Sequence, residues 1–314
     1  MKRIVFGIAV VLTGAAQVFA AGSYQPGEVG SKFLLVPMSA RAVALGGAFA
    51  AAQGDASGLD HNPAGLAHLK EFQFSVTHIV YPGGINYSAG SLATPTFHRT
   101  GGVFRYRSFF FGDEQRDGIG KKIGGQNIDI IDRDFTLGLY VLAGKHFSLG
   151  INGDFIDRTL YLYRDKTIAL GTGFQVYTTD RRHVAGISVQ HIGEGTKFIE
   201  ATDPLPMVYR LGGAHVAAKW GQLFWELQKY LDNPGVSVSA GLEWNLTNYF
   251  CFRGGTGYNI DTYFAGGMGF HWRSYVLDYA IRPQSGAGIL HNMTLTLKWD
   301  ITEDDFDFGH WLDF

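Results

Sequence analysis

The feature that most constrains this chain is a period-two alternation of apolar and polar residues that begins at Glu71. It recurs in segments of about ten residues. In the clearest segment, Val236 to Asn245, one set of alternate positions reads Val, Val, Ala, Leu and Trp, and the other reads Ser, Ser, Gly, Glu and Asn. Because successive side chains of a strand point to opposite faces, such a strand has one apolar and one polar face. The alternation, together with 43 glycines that disfavour helices, predicts an all-β chain.

The character of the polar face separates two all-β architectures. In a soluble β-sandwich that face is exposed to water and is usually rich in Lys, Glu and Thr. Here it carries many Gly, Ser and Asn residues, and only 17% of the chain is charged. Trp244, Trp272 and Trp299 stand at segment ends, where membrane barrels carry aromatic girdles. The pattern favours a transmembrane antiparallel β-barrel and leaves a soluble sandwich as the alternative.

The number of segments predicts about fourteen strands, an even number as in single-chain bacterial barrels. An even number places both ends of the barrel on the periplasmic side. The two longest connections, Phe111 to Asp132 and Gly193 to Pro206, then lie outside the cell. The predicted strands cover residues 71–81, 84–95, 98–110, 133–143, 145–158, 166–177, 182–192, 207–217, 219–229, 235–245, 248–258, 262–272, 274–283 and 289–299, in a barrel domain of residues 71–299.

The two ends of the chain differ from the barrel. Lys2 and Arg3 precede a short apolar run, and the residues up to Ala20 suit signal peptidase. Residues 1–20 are therefore predicted to be a cleaved signal peptide, and the protein to be exported. Residues 300–314 form an acidic tail with aromatic residues, which we interpret as a solvated periplasmic end or, alternatively, as a periplasmic contact segment.

Residues 21–70 lack the alternation and are rich in small side chains, above all between Ser39 and Ala50. Small side chains let backbones pack closely in a confined space. Asn62 precedes Pro63, and a residue before proline is disfavoured in the helical region, so a turn or a short helix is expected to begin there. The segment is predicted to form a compact plug, or hatch, within or beneath the barrel, with a flexible periplasmic leader as the alternative.

Several motifs resemble a known family. The run ARAVALGGAF at residues 40–49, with Asp-Ala-Ser at 55–57 and Asn-Pro-Ala-Gly-Leu at 62–66, resembles the amino-terminal signature of the PorV/PorQ family. The likeness returns at residues 205–214, 252–258, 265–270, 277–280 and 291–295. This family belongs with the FadL-like barrels, so the resemblance implies a hatch that carries an Asn-Pro-Ala element and plugs a barrel of about fourteen strands. The hatch residues that it implies are Arg41, Gly46, Gly47, Asp55, Asn62, Pro63 and Ala64.

Charged residues at the inward positions of the predicted strands give the lumen a mixed charge. Asp278 and Arg282 lie four residues apart on one face, and we expect them to form an ion pair. In one interpretation, the lumen charges neutralise one another and hold the hatch in place. In the other, Arg105 and Arg107 attract the head group of an acidic amphiphile. The candidate lumen and ligand-path residues are Arg105, Arg107, Arg210, Arg253, Asp278 and Arg282, and the same inward phase carries Asp154, Glu226, Glu243 and Lys298.

Gly101 and Gly102 form a glycine pair on the third predicted strand. Paired glycines in a strand favour a kink or a bulge. In FadL-like barrels, a kink in the third strand opens the wall sideways to the bilayer. The resemblance therefore implies a lateral opening at Gly101 and Gly102.

The sequence gives no indication of catalytic or metal-binding chemistry. The eleven histidines have no His-x-x-x-His spacing, and the single cysteine, Cys251, forms no cluster. The net charge of −2 gives no reason to expect a nucleic-acid partner. We therefore predict that the protein is not an enzyme and has no metal site, no cofactor and no nucleic-acid partner.

Three functions remain open for an outer-membrane barrel of this kind. It is a passive conduit for hydrophobic or amphipathic small molecules, an accessory barrel of type IX secretion that receives exported cargo, or a structural or adhesive surface barrel. The outer connections are short for a protein that grips cargo, which favours the conduit slightly. The expected partners are outer-membrane lipid, a hydrophobic small-molecule ligand or type IX components, and the expected state is a monomer.

Overall fold

The computed structural model describes residues 30–82, 85–116, 122–198, 201–218, 220–231, 235–259, 261–284 and 288–300. In these residues, fourteen strands close into an antiparallel barrel. They are β1 (Phe72–Val80), β2 (Asn86–Ala93), β3 (Thr100–Arg116), β4 (Lys122–Val141), β5 (Phe147–Leu160), β6 (Tyr163–Tyr177), β7 (His183–Gly193), β10 (Val208–Ala218), β11 (Gly221–Tyr230), β12 (Ser237–Asn245), β13 (Phe250–Tyr258), β14 (Thr262–Trp272), β15 (Tyr275–Gln284) and β16 (Gly288–Trp299). A separate hairpin of β8 (Thr196–Phe198) and β9 (Ala201–Asp203) lies between β7 and β10. The predicted signal peptide, residues 21–29 of the predicted hatch and the tail from residue 301 onward lie outside the described residues.

Closure leaves the barrel sheet without an open edge. β1 and β16 pair in continuous register, from Phe72 opposite Trp299 to Val80 opposite His291. In a closed barrel the strands satisfy one another's backbone groups, which is what allows strands to cross a lipid layer. The predicted closed antiparallel barrel of fourteen strands is confirmed, and the soluble sandwich is wrong.

The two faces of the barrel wall are the reverse of those of a soluble protein. On β1, Phe74 and Val76 point outward and are each 45% exposed, whereas Ser75 and Thr77 point inward and are buried. A soluble fold buries its large apolar side chains. A wall with an apolar outside and a polar inside is instead suited to lipid around it.

The connections distinguish the two ends of the barrel. The terminal end carries the start of β1 and the end of β16, together with exposed aromatic pairs: the rings of Trp220 and Trp244 are 6.2 Å apart, as are those of Trp272 and Tyr275. The opposite end, which we call the hairpin end, carries the β3–β4 and β7–β10 connections. Rings of this kind favour the interface between a bilayer and water. The terminal end therefore has the aromatic girdle that the segment ends predict.

The predicted long connection from Phe111 to Asp132 is wrong. β3 continues to Arg116 and β4 begins at Lys122, and the two pair in register from Thr100 opposite Val141 to Glu114 opposite Asn127. β4 pairs with β5 only from Ile130 onward, so the outer part of the β3–β4 hairpin extends beyond the rest of the sheet. A two-stranded ribbon in water needs no apolar face, and so the alternation that marks a strand in lipid is lost there.

No β-bulge interrupts the β3–β4 pairing at Gly101 and Gly102, and a kink at these glycines stays a prediction. Gly101 pairs with Tyr140 and Gly102 with Leu139 within the unbroken part of the β3–β4 register. Any Cβ at Gly101 would collide with the Tyr140 ring, whose hydroxyl donates to the Gly102 carbonyl at 3.0 Å. Gly101 therefore makes room for an aromatic ring of the neighbouring strand.

Residues 30–70, which we call the lumenal segment, lie inside the barrel. The Gly30 N–H donates to the Pro204 carbonyl at the hairpin end (3.0 Å), and the Thr96 N–H donates to the Leu69 carbonyl near the terminal end (3.3 Å). The segment therefore extends through the lumen from one end towards the other and does not lie beneath the barrel. No helix in the described residues is long and apolar enough to span a membrane.

Polar residues set the starts of the short helices in the lumenal segment. A 3-10 helix spans Lys32–Leu35, and the next three helices each follow a residue whose side chain accepts a hydrogen bond from a helix N–H. A side chain of this kind satisfies an amide that has no partner within the helix. The pairs are Ser39 before the α-helix α1 (Ala40–Ala44), Asp55 before the 3-10 helix Ala56–Asp60, and Asn62 before the 3-10 helix Pro63–His68.

Candidate functional site: the lumenal segment and its contacts

Inward-facing glycines form the surface on which the lumenal segment lies. A Cβ added at any of six of them would collide with the segment, for example 2.6 Å from the Leu45 carbonyl oxygen at Gly241 and 2.6 Å from the Ala44 Cβ at Gly267. In a strand, glycine allows another backbone to approach closely. We call these six residues the glycine seat: Gly150, Gly173, Gly186, Gly241, Gly255 and Gly267, on β5, β6, β7, β12, β13 and β14.

Arg41 joins the segment to the wall near the terminal end. Its Nε and Nη2 donate to both oxygens of Glu243 (2.7 and 3.0 Å), and its Nη1 donates to Asp55 (3.2 Å). Arg253 extends the chain of charges with contacts to Glu243 (2.8 Å) and Asp278 (2.5 Å). Burial lowers the pKa of Arg41, but Glu243 and Asp55 more than offset this and raise it above its ordinary value. The guanidinium therefore remains charged, with a carboxylate on each side.

The expected pair between Asp278 and Arg282 is wrong. Asp278 pairs with Arg253 on the neighbouring part of the wall, and the Arg282 guanidinium lies 5.4 Å from the centre of the Tyr263 ring. Residues four apart on one strand are separated by about 13 Å. Arg253 on β13 instead reaches Asp278 on β15 across Gly269 of the intervening β14, which has no side chain to block the contact. The register between strands, not the spacing along one strand, decides this partner.

Asp60 of the segment lies between Arg105 and Arg107 of β3. Arg107 contacts Asp60 (3.1 Å) and Asp134 (2.7 Å), and Arg105 pairs with Asp60 and donates to Thr136 (2.8 Å). Burial alone would raise the pKa of Asp60, but the two guanidinium groups more than offset it, and the pKa lies below its ordinary value. Both arginines are thus engaged with carboxylates of the protein, and the hypothesis that they bind an acidic amphiphile gains no support.

Glu226 holds the middle of the segment. It is fully buried, and one of its oxygens accepts hydrogen bonds from the Phe49 N–H (2.7 Å) and the Ala50 N–H (2.6 Å). Arg210 and His61 lie 3.3 and 3.7 Å from its carboxylate. Successive backbone amides that converge on one point form a natural anion site, here occupied by a side chain. The sequence alone places Glu226 among the inward-facing charges but does not identify its partner. The signal that could have identified it is an inward-facing carboxylate together with the run of small residues between Ser39 and Ala50.

The Asn-Pro-Ala element fixes a turn of the segment against the wall. The Asn62 amide donates to the Ala50 carbonyl (2.8 Å) and the Phe174 carbonyl (3.2 Å), and its oxygen accepts from the Ala64 N–H (3.1 Å). Pro63 and Ala64 pass directly over Gly150 of the glycine seat.

Gly46 and Gly47 have positive φ angles of 67° and 84°, which only glycine adopts readily, and the Gly46 carbonyl accepts from the Tyr263 hydroxyl (2.9 Å). The predicted hatch residues therefore all contact the wall or shape the segment.

An apolar depression on the outside of the wall, with a volume of about 790 Å³, extends across β2 to β7. We call it the outer groove. Gly102 contributes to its floor, since a side chain there would find only Leu139 and the Gly138 carbonyl nearby. Its walls include Phe104, Leu137, Leu139, Ile151 and Leu170.

Within the described residues, no group of three or more His, Cys, Asp or Glu side chains is placed to hold a metal ion.

The fold is similar to that of solved transporters. Neither a protein-family model nor a curated protein matches the sequence. The toluene transporter TbuX of Ralstonia pickettii aligns with a TM-score of 0.61 and 13% identity over 85% of this chain and 100% of that chain. The toluene transporter TodX of P. putida aligns with a TM-score of 0.63 and 11% identity, over 84% of this chain and 99% of that chain. A FadL homologue of Pseudomonas aeruginosa aligns with a TM-score of 0.58 and 11% identity, over 90% of this chain and 100% of that chain. The chain therefore shares the barrel fold of these proteins.

Proposed function

We propose that this protein is a monomeric outer-membrane conduit for hydrophobic or amphipathic small molecules, exported by a cleaved signal peptide and closed by the lumenal segment acting as a hatch. The observation that carries the proposal is the way the lumen is filled. The barrel interior is occupied by a piece of the same chain that rests on glycines and is held by a few polar anchors, namely Arg41, Glu226 and Asp60. A plug held in this way can move without unfolding the wall.

The hydrophobic class of ligand is supported by two features. The fold is shared with two toluene transporters. At the hairpin end, Phe33, Leu34 and Met38 of the segment pack with Ile79 and Tyr87 of the wall in an apolar cluster. An apolar ligand that enters from that end replaces these contacts with its own and so favours displacement of the segment. The type IX hypothesis has no comparable support from the contacts of the described residues.

A reversible cross-link tests the hatch. The Gly212 and Ala50 positions face each other, and a Cβ at Gly212 would lie 3.2 Å from the Ala50 Cβ, close to the spacing of a disulfide. In a Cys251→Ser background, we expect Gly212→Cys with Ala50→Cys to form a disulfide that abolishes uptake of labelled toluene by intact cells. Reduction with dithiothreitol should restore uptake to the level of the Cys251→Ser protein.

Two controls give this result its meaning. Each single-cysteine variant should transport with or without reductant, and cells without the protein define the background. Uptake by the oxidised double variant at the full rate would exclude the lumenal segment as a gate. Uptake no greater than background in every protein would exclude the conduit itself for this probe.

The outer groove leads to a proposal for release into the bilayer. We expect Gly102→Val to reduce toluene uptake several-fold, because its methyl groups fill the floor of the groove while the neighbouring backbone leaves space for them. Gly101 is unsuitable for this test, since any side chain there meets the Tyr140 ring. Gly254→Val is the matched control: this outward glycine has no described atom within 4 Å of an added Cβ. Equal uptake by both variants would remove the lateral opening from the proposal.

A further inference from the structure

A polar cavity of about 430 Å³ lies at the terminal end of the barrel. We call it the terminal cavity. Arg41 and Asp55 of the lumenal segment line it, as do Arg253, Asp278 and Lys298 of the wall. Its volume falls within the range of small-molecule sites. Its lining is charged, unlike the outer groove, so it is suited to a different class of ligand from a hydrophobic conduit.

Most of the charged groups in the terminal cavity are already paired with one another. All three nitrogens of the Arg41 guanidinium donate to Glu243 or Asp55. Both oxygens of Glu243 accept from arginine, and both oxygens of Asp55 accept from Arg41 or from Ser57. These groups form the connection between the segment and the wall. They have little capacity left for a ligand.

Two charges of opposite sign remain. The Lys298 ammonium makes no hydrogen bond or direct ion-pair contact in the described part of the chain, and it acts on Asp55 only over a longer distance. Asp278 is engaged through Oδ1 alone, by Arg253, and its Oδ2 has no partner among the same residues. His271 adds a neutral polar group, because its Nε2 is buried without a described hydrogen-bond partner. Of these groups, the His271 Nε2 is the buried atom without a described partner, and because buried polar atoms are rarely left unsatisfied it indicates a polar occupant of the cavity.

The total charge restricts that occupant. Arg41, Arg253 and Lys298 are balanced by Asp55, Glu243 and Asp278, so the ionised groups of the terminal cavity sum to zero. A ligand with a net charge would leave one charge uncompensated in a confined site. A ligand with one positive and one negative end satisfies both free groups and preserves the balance.

The strand register restricts its shape. Asp278 lies opposite Thr294 of β16, and Lys298 is four residues further along that strand. Four residues of extended chain span about 13 Å between Cα atoms. The Cα atoms of Lys298 and Asp278 are therefore well separated, and we infer that a molecule pairing with both side chains is extended, with its charges at opposite ends.

We propose that the terminal cavity binds a small linear zwitterion, whose carboxylate pairs with Lys298 and whose ammonium pairs with Asp278. This site is separate from the hydrophobic path of the proposed function and does not depend on it. A molecule of the type of an ω-amino acid has the required charges and separation.

The test uses the full-length protein in lipid nanodiscs and radiolabelled 6-aminohexanoate in equilibrium dialysis. Hexanoate and hexylamine, each with one of the two charges, are the matched probes, and empty nanodiscs give the background. We expect the zwitterion to bind at least tenfold more tightly than either. We expect Lys298→Met and Asp278→Asn to weaken its binding at least tenfold, whereas Lys298→Arg retains it.

Ser91→Ala is the control variant, because Ser91 faces the lumen at a different, smaller cavity. It should bind 6-aminohexanoate as the unaltered protein does. Heat-dependent gel migration verifies that each variant is a folded barrel, and Lys298→Arg supplies a folded variant if Lys298→Met does not assemble. Binding that is unchanged in folded Lys298→Met, lost in Lys298→Arg, or matched by hexanoate or hexylamine overturns the proposal.

Discussion

Gly255→Ala will open the barrel to ions, and Gly254→Ala will not. A Cβ at Gly255 would overlap the backbone of Leu45 and Gly46, whereas one at Gly254 meets no described atom within 4 Å. Overpacking of a filled interior costs about 1–3 kcal/mol. If the segment moves away to relieve this strain, the population of the open state rises by roughly 5- to 150-fold, at 1.4 kcal/mol per factor of ten. Single-channel conductance in planar bilayers measures this population directly.

The two glycines form a controlled pair because they are adjacent on β13 and point to opposite sides of the wall. The change in strand propensity is therefore the same in both variants, and only the contact with the segment differs. Heat-dependent gel migration verifies that both barrels are folded. Equal conductance in the two variants would mean that the glycine seat does not hold the segment closed.

Glu226→Gln will release the middle of the lumenal segment. The charged oxygen that accepts from the Phe49 and Ala50 N–H groups is lost, and the buried Arg210 loses its carboxylate. Breaking a buried ion pair by removing one partner costs about 3–5 kcal/mol. We expect hydrogen exchange of the Phe49 and Ala50 amides, followed by mass spectrometry, to accelerate by about 100-fold or more, at 1.4 kcal/mol per factor of ten.

A second substitution separates the lost acceptor from the charge left behind. Arg210→Met combined with Glu226→Gln removes both charges, so exchange should slow relative to Glu226→Gln alone, as a double-mutant cycle requires of coupled groups. Glu243→Gln is the positional control and should affect the region of Arg41 rather than Phe49. Unchanged exchange at Phe49 and Ala50 in Glu226→Gln would show that the glycine seat alone positions this part of the segment.

These two predictions address different components of the closed state that we propose for the lumenal segment. The glycine seat determines how closely the segment can approach the wall, and the buried charges determine where along the wall it is held. Arg41, Asp60 and the Phe49–Ala50 amides meet carboxylates or guanidinium groups from β12, β3 and β11 respectively. A gate built in this way has anchors that can be weakened one at a time, which makes the proposed opening accessible to mutation.

Several features of the fold were predictable from the sequence because they depend on neighbours along the chain. The side chains of a strand alternate in direction. Because outward side chains face lipid and inward side chains face a polar lumen, apolar and polar residues alternate along the sequence. The strands, their number and the inward phase of Arg105, Glu226 and Asp278 follow from that rule. The outer part of the β3–β4 hairpin was missed because it lies beyond the apolar wall, where no such rule applies.

The partners inside the barrel were not predictable, because they depend on closure and on register. Asp278 was expected to pair with Arg282 on its own strand, but the register brings Arg253 to it. Gly101 has a role that no local pattern indicates, because only the pairing with the opposite strand brings the Tyr140 ring to it. The sequence by itself determined that this chain forms a barrel with a polar interior and a non-alternating first segment. Only the tertiary structure decided that this segment rests on a glycine seat and which charges hold it, since some of these contacts join residues more than two hundred positions apart that meet only once the barrel has closed.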